Sequence, residues 1–141
     1  MRIRPFRESD EEAVEVLWRA VFPGSPSHND PSSDIRRKLA VQRELFLVAE
    51  ESGVVIGTAM AGYDGHRGWV YYVSVHPEHR RKGVGAALMT TAENGLRRAG
   101  CSKVNLQVRP GNDHAVAFYE RLGYTVEERV SMGKLLEKTD G

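Results

Sequence analysis

Several things are scarce in this 141-residue chain, and each scarcity excludes something. There is one cysteine, Cys101, so no internal disulfide can form, and no metal-ligand spacing surrounds it. No stretch approaches the ~20 apolar residues that a membrane-spanning helix needs. No apolar signal core stands near Met1, so the expectation is a soluble, cytoplasmic protein. Neither sign of charge dominates: 20 Lys and Arg face 19 Asp and Glu, a net charge of +1. The two signs are interspersed, so nothing argues for nucleic acid or a membrane as partner. Repeats, low-complexity blocks and linkers are missing, which leads us to expect a single domain over residues 1–141, long enough to bury a core. The phosphate-binding string G-x-x-x-x-G-K-[ST] is absent as well.

What is present is concentrated between Val73 and Met89. Tyr71-Tyr72-Val73-Ser74-Val75 is β-branched and aromatic, and predicts a strand. His76-Pro77-Glu78 ends it, because proline cannot donate to a ladder. From Val84, apolar residues at Leu88, Ala92, Leu96 and Ala99 recur at helical spacing. Between strand and helix stand Arg80, Arg81, Lys82, Gly83, Val84 and Gly85. A helix N-terminus has N–H groups without intrahelical partners, and the macrodipole adds positive charge there. Glycines let a ligand approach the backbone, so a phosphate or pyrophosphate is the natural guest. The dinucleotide fingerprint does not fit, since Gly83-Val84-Gly85-Ala86-Ala87-Leu88 has leucine at its sixth place.

The rest of the chain supplies a frame for that stretch. Met1 to Phe6 predicts a first strand. Ser9-Asp10-Glu11-Glu12 has the capping-box pattern, with Ser9 as cap and Glu12 reaching back. The helix it opens is expected to turn Ala13, Val16, Leu17 and Ala20 inward. Pro23 to Ser27 predicts a loop. Asp30-Pro31 predicts a second helix start, with Ile35 and Leu39 on its apolar edge. Arg36, Arg37, Lys38 and Arg43 read as a solvated face, with an acidic substrate or cofactor phosphate as the alternative. Leu45 to Glu50 and Val54 to Tyr63 predict strands joined by a hairpin at Glu51-Ser52-Gly53. Asp64 to Gly68 is a second turn, leading into a strand over Trp69 to Val75. Lys103 to Val108 predicts a further strand. With a helical crossover between them, 71–75 and 103–108 should run parallel. The expected fold class is therefore α/β (α+β): a mixed, mostly antiparallel sheet in chain order, with helices on both faces.

Two motifs carry a resemblance. Arg80-Arg81-Lys82-Gly83-Val84-Gly85 matches R/Q-x-x-G-x-G/A. Asn112 to Tyr124 matches N-x-x-A-x-x-F-Y-E-x-L-G-Y/F, in which Ala115, Phe118 and Leu122 form a stripe and Gly123 ends a helix. Together they resemble the GNAT-type N-acetyltransferases. Tyr63 to Gly68 is similar to a turn in small bacterial members. The string Leu106-Gln107-Val108-Arg109 resembles, more distantly, enzymes that acetylate the N-terminal alanine of a ribosomal protein. Those carry glutamate where this chain has Gln107.

The resemblance implies acetyl-CoA as co-substrate and transfer to an amine. It also implies that the parallel pair is splayed and that a strand follows the second motif. Val73, Ser74 and Val75 would hold the pantetheine and thioester, with backbone N–H groups polarising the oxyanion. Arg80, Arg81, Lys82, Gly83, Val84, Gly85 and Ala86 would form the pyrophosphate loop, and Asn112 a further cofactor contact. The hydroxyl of Tyr119 would meet the leaving thiolate; a half-buried structural tyrosine is the alternative. Direct attack needs no nucleophile from Cys101 or Ser74 and no metal. His66, His76 and His79 read as turn residues. An alkyl ammonium near pKa 10.4 must first lose a proton. Gln107 cannot take it, which leaves water, or Asp64, His66 or Tyr72 on the acceptor side. Acceptors of three kinds remain open: a small-molecule amine, a protein N-terminus, or a lysine. A non-catalytic acyl-CoA sensor is the rival class, and a homodimer is admitted.

Overall fold

A computed structural model of the chain describes residues 1–24 and 30–136. The strands are β1 (Arg2–Pro5), β2 (Phe46–Glu51), β3 (Val54–Tyr63), β4 (Gly68–Val75) and β5 (Val104–Asn105). The helices are α1 (Glu11–Val21), α2 (Pro31–Leu39), α3 (Val84–Arg98) and α4 (Asp113–Arg121). Two compact units divide the chain, Met1–Gln107 and a second that begins at Val108.

In the first unit the sheet order β1-β2-β3-β4-β5 follows the chain. The first three pairings are antiparallel and β4 with β5 is parallel, which is the expected mixed sheet. Local chemistry explains the tight connections. Ser52 and Gly53 both take positive φ, 52° and 78°, the backbone of a two-residue hairpin whose twist matches its strands. Asp64 closes the next turn by accepting from the amides of His66 and Arg67, each at 2.8 Å.

Alternate residues of the central strands face different helices. Phe46, Val48 and Met60 join Val14, Leu17, Trp18 and Ile35 in one core with α1 and α2. On the other face, Val84, Leu88, Met89, Ala92 and Leu96 of α3 are buried. Gly57 is required there: a Cβ would lie 2.8 Å from the Ser74 carbonyl oxygen, with Leu88 and Val84 at 3.1 and 3.2 Å. Its neighbour Thr58 points the opposite way and accepts from Trp18 Nε1 at 2.9 Å. Ala99, expected in the α3 stripe, is the exposed C-cap instead.

The N-terminal helix differs from expectation in start and phase. A short 3₁₀ turn, Glu8–Asp10, precedes it. Asp10, not Ser9, closes that turn by accepting from the Arg7 amide at 2.8 Å. Arg4 holds Asp10 with two bonds of 2.8 and 2.9 Å, a buried ion pair that lowers the Asp10 pKa. The inward residues are Val14, Leu17 and Trp18, while Ala13, Val16 and Ala20 face solvent. Burying the Trp18 ring outweighs burying two alanines and a valine, because burial energy scales with apolar area.

The second helix begins as expected, with Asp30 accepting from the Ser33 amide at 3.1 Å and Pro31 in its first turn. Arg36 and Arg37 are solvated, but Lys38 is buried and its Nζ donates to the Ala61 carbonyl. The reason lies in strand length. Ladder pairing with β2 stops at Phe46↔Met60, so the last residues of β3 have no β2 partner on that edge. Lys38 and Gln42, whose amide bonds both N–H and C=O of Tyr63, take that partner's place. Burial lowers the Lys38 pKa. Arg43 pairs with Glu8 at the surface.

The predicted strand 103–108 is shorter than expected. The parallel ladder holds only Gly68↔Val104 and Trp69↔Asn105, at the start of β4 rather than along 71–75. Past that point β4 is bulged, which bends the strand and increases its twist. Residues 25–27 of the predicted loop lie outside the described residues, and Pro23 and Gly24 form a turn. In the second unit, Asn112 caps α4 by accepting from the Ala115 amide at 3.2 Å. Gly123, at φ 98°, ends it as predicted. Among the described residues no strand follows α4, contrary to expectation.

Candidate active site

The bulge in β4 lies inside the segment that the sequence singles out. Thr58 pairs with Ser74 and Met60 with Tyr71, so Tyr72 and Val73 together oppose Ala59. Tyr72 has φ of 52°, a left-handed conformation that is rare for a bulky side chain. Its ring stacks on Trp18, with centroids 3.9 Å apart and planes 12° from parallel. Its carbonyl lies 2.7 Å from Thr58 Oγ1, which lies 2.6 Å from Ser74 Oγ. Trp18 can only donate, so a consistent pattern has Thr58 accept from Trp18 and Ser74 and donate to the Tyr72 carbonyl. Thr58 and Ser74 are almost completely buried. Val73 and Val75 are half-buried. A bulge breaks the regular ladder, so backbone groups along 72–74 can address something other than a strand.

The loop after β4 is built by other means. His76 Nδ1 accepts from the Glu78 amide at 3.1 Å and starts a 3₁₀ turn over Pro77–His79. His79 Nδ1 lies 3.3 Å from Glu51 Oε2. Both histidines are therefore turn residues, and the described residues hold no group of His, Cys, Asp or Glu that could bind a metal. Arg80, Arg81, Lys82 and Gly83 are exposed, and Arg81 and Gly83 have positive φ, 66° and 77°. Gly83 is the N-cap of α3 and supplies no side-chain cap, and the first turn contains no acidic residue. The first intrahelical bond recorded there, Ala87 N–H to Gly83 C=O, is 3.0 Å. The amides of Val84, Gly85 and Ala86 precede it. A Cβ on Gly83 would meet nothing within 4 Å. Three basic side chains, an uncapped 15-residue helix and open space beside Gly83 are the features that favour an anion.

The residues considered for the acceptor side separate clearly. Asp64 is occupied with its turn, and those backbone hydrogen bonds lower its pKa, so it is a weak base. His66 is exposed beside it. The Tyr72 hydroxyl donates to Asp34 Oδ2 at 2.5 Å, and burial, then that bond, raise its pKa, which holds the phenol protonated. Gln107 is exposed at the end of the first unit. Sequence reasoning missed Asp34, Trp18 and Thr58. The one local signal was Tyr71-Tyr72, two aromatics in succession where a strand should alternate.

In the second unit, Tyr119 is half-buried, with Phe118 and Tyr124 edge-on at 4.9 and 5.8 Å between centroids. Burial pushes its pKa up to about 12. The side-chain oxygen of Asn112 caps α4. Among the described residues no helix is long and apolar enough to cross a membrane.

Comparison with known proteins agrees with this architecture. The acetyltransferase (GNAT) family pattern matches residues 11–124. An acetyltransferase of Yersinia enterocolitica is 46% identical over 136 residues, covering 96% of each chain. The fold is similar to that of AAC(6')-Iy, solved with a bisubstrate analogue of CoA and acetylneamine: the TM-score is 0.80 at 22% identity, over 96% of this chain and 97% of that one. It is also similar to the ribosomal-protein-S18-alanine N-acetyltransferase of Escherichia coli, with TM-score 0.71 at 22% identity, over 86% and 76% of the two chains.

Proposed function

The chain belongs to the GNAT acetyltransferase family, and from that premise we propose that it transfers an acetyl group from acetyl-CoA to a primary amine of a small molecule or peptide. The observation that carries this reading is the uncapped, basic N-terminus of α3, which follows the bulged strand β4 after a single loop. In this reading Arg80, Arg81, Lys82 and the amides of Gly83 to Ala86 hold the pyrophosphate. Val73, Ser74 and Val75 hold the pantetheine arm, and amides of the bulge donate to the thioester oxygen as it gains charge. Asn112 is a further cofactor contact. The neutral amine attacks the carbonyl, the C–S bond breaks, and the thiolate leaves without a covalent enzyme intermediate.

Tyr119 is the proposed partner of that thiolate. Its phenol, near 12, is a weaker acid than a thiol near 8.5, so hydrogen-bond donation is its first role, and proton transfer follows only as the thiolate is desolvated. Tyr119→Phe is expected to keep CoA affinity and slow turnover on the order of 100-fold, the range for removing one hydrogen-bond donor to developing negative charge. An unchanged rate in a chemistry-limited assay would return Tyr119 to a structural role. No carboxylate or imidazole is proposed as base. The lowered pKa of Asp64 and the neutral amide of Gln107 favour loss of the amine proton through water. The pH profile of acetylation tests this: Asp64→Asn, His66→Gln and Gln107→Ala should all retain the wild-type basic limb.

The acceptor is tested by thiol release from acetyl-CoA with four probes: an N-terminal alanine peptide, a lysine peptide, an aminoglycoside and a polyamine. Release that depends on one of them supports the enzyme and names the acceptor class. Tight acetyl-CoA binding without acceptor-dependent release from any amine would favour an acyl-CoA sensor instead.

A further inference from the structure

Four described non-glycine residues have positive φ, and Tyr72 is the one inside a strand. Such a conformation persists only where the surroundings over-determine it. The stack on Trp18 and an edge contact with Phe22, at 5.7 Å, would hold a phenylalanine equally well. The hydroxyl adds something else, a bond to a carboxylate 38 residues earlier in the chain. Asp34 lies in the first turn of α2, one residue before the fully buried Ile35. Its other oxygen, Oδ1, accepts from Arg37, so the carboxylate is held at both ends.

We propose that Asp34 is a positioning residue for the transfer reaction: through the Tyr72 hydroxyl it holds the β4 bulge so that the bulge amides face the thioester oxygen. The proposal rests on the acetyl-transfer reading above. The ring stack fixes the plane of Tyr72. The bond from Thr58 fixes its carbonyl. The bond to Asp34 fixes the far end of the ring, and three points of attachment define the orientation of the peptide planes on either side. Without the third, the ring can slide along the Trp18 face and the amides move with it. Catalysis by preorganised donors is sensitive to such small displacements.

The experiment uses the whole chain and acetyl-CoA labelled with ¹³C at the thioester carbonyl. The infrared stretch of the bound carbonyl reads how strongly donors polarise it, and calorimetry reads affinity. In wild type, binding should lower the stretch. In Tyr72→Phe and Asp34→Ala, affinity should stay within about twofold while the stretch returns toward its free value. Turnover of whichever probe amine is accepted should fall about 10-fold, with KM for acetyl-CoA unchanged. The double variant should be no worse than either single one, because both remove the same bond. Should Asp34→Ala fail to fold, Tyr72→Phe decides alone, since it keeps the stack. A polarised carbonyl in Tyr72→Phe, identical to wild type, would overturn the proposal and leave the acetyl-transfer reading intact. A wild-type protein that does not bind acetyl-CoA would overturn that reading and the proposal with it.

Discussion

The bulge of β4 and the loop that follows it are neighbours in the chain, yet they are held in opposite ways. Tyr72 is fixed from outside, by Trp18 of α1, Asp34 of α2 and Thr58 of β3. The loop from Arg80 to Gly83 is exposed and shaped by its own residues, two of them in left-handed conformations. The difference matches the chemistry proposed for each. A developing oxyanion needs donors placed to a fraction of an ångström, which buried, over-determined backbone can supply. A pyrophosphate carries its charge before it binds, and basic side chains that reach it through water suffice to attract it.

The comparison breaks most sharply at Gly83. Gly83→Val is expected to weaken CoA binding on the order of 100-fold, because a β-branched residue resists φ of 77° and its Cβ would stand in the open space ahead of α3. Calorimetry checks this, and thermal melts should show a smaller accompanying loss of about 1 kcal/mol from the same backbone strain. Trp18→Phe should do the reverse, lowering stability by about 2 kcal/mol through lost packing and a lost hydrogen bond to Thr58. Denaturant melts give that number, and CoA affinity should hold. Arg81→Ala should weaken CoA binding roughly 5-fold at low salt and less at high salt, since exposed charges are screened. A salt-insensitive loss would place Arg81 among the buried, over-determined contacts instead.

The smallest effect is a slope. The folded state raises the Tyr72 pKa above its ordinary 10.0, so the unfolded chain loses that proton first as pH rises. The unfolded state then binds fewer protons, and stability falls with pH above about 10. Tyr72→Phe lacks this term. Its stability should start lower at neutral pH and decline less steeply through the alkaline range, as melts across pH 8 to about 11 would show.

The same contrast separates what could be read in advance from what could not. The motif loop, the Asp30 cap, the Ser52-Gly53 hairpin and the Asp64 turn were legible, because each depends on residues within a few positions of one another. The phase of α1 was not, because the Trp18 ring finds its place only against Phe46 and Tyr72. Lys38 reads as a solvated cation until β3 is seen to outrun β2. The paired part of β5 shrank to Val104–Asn105, since a bend in the neighbouring strand leaves no mark on its own composition.

By itself, the sequence determined the antiparallel meander and the basic, glycine-bearing helix start, which follow from short-range patterns of glycine, proline, charge and apolar spacing, and its two motifs carried the resemblance to the family. Only the tertiary structure decided that β4 bulges at Tyr72 and that Asp34 meets its hydroxyl. That contact joins residues 38 positions apart. A left-handed tyrosine is unfavourable alone, and it becomes favourable only when packing, stacking and two hydrogen bonds from three separate elements act on it together.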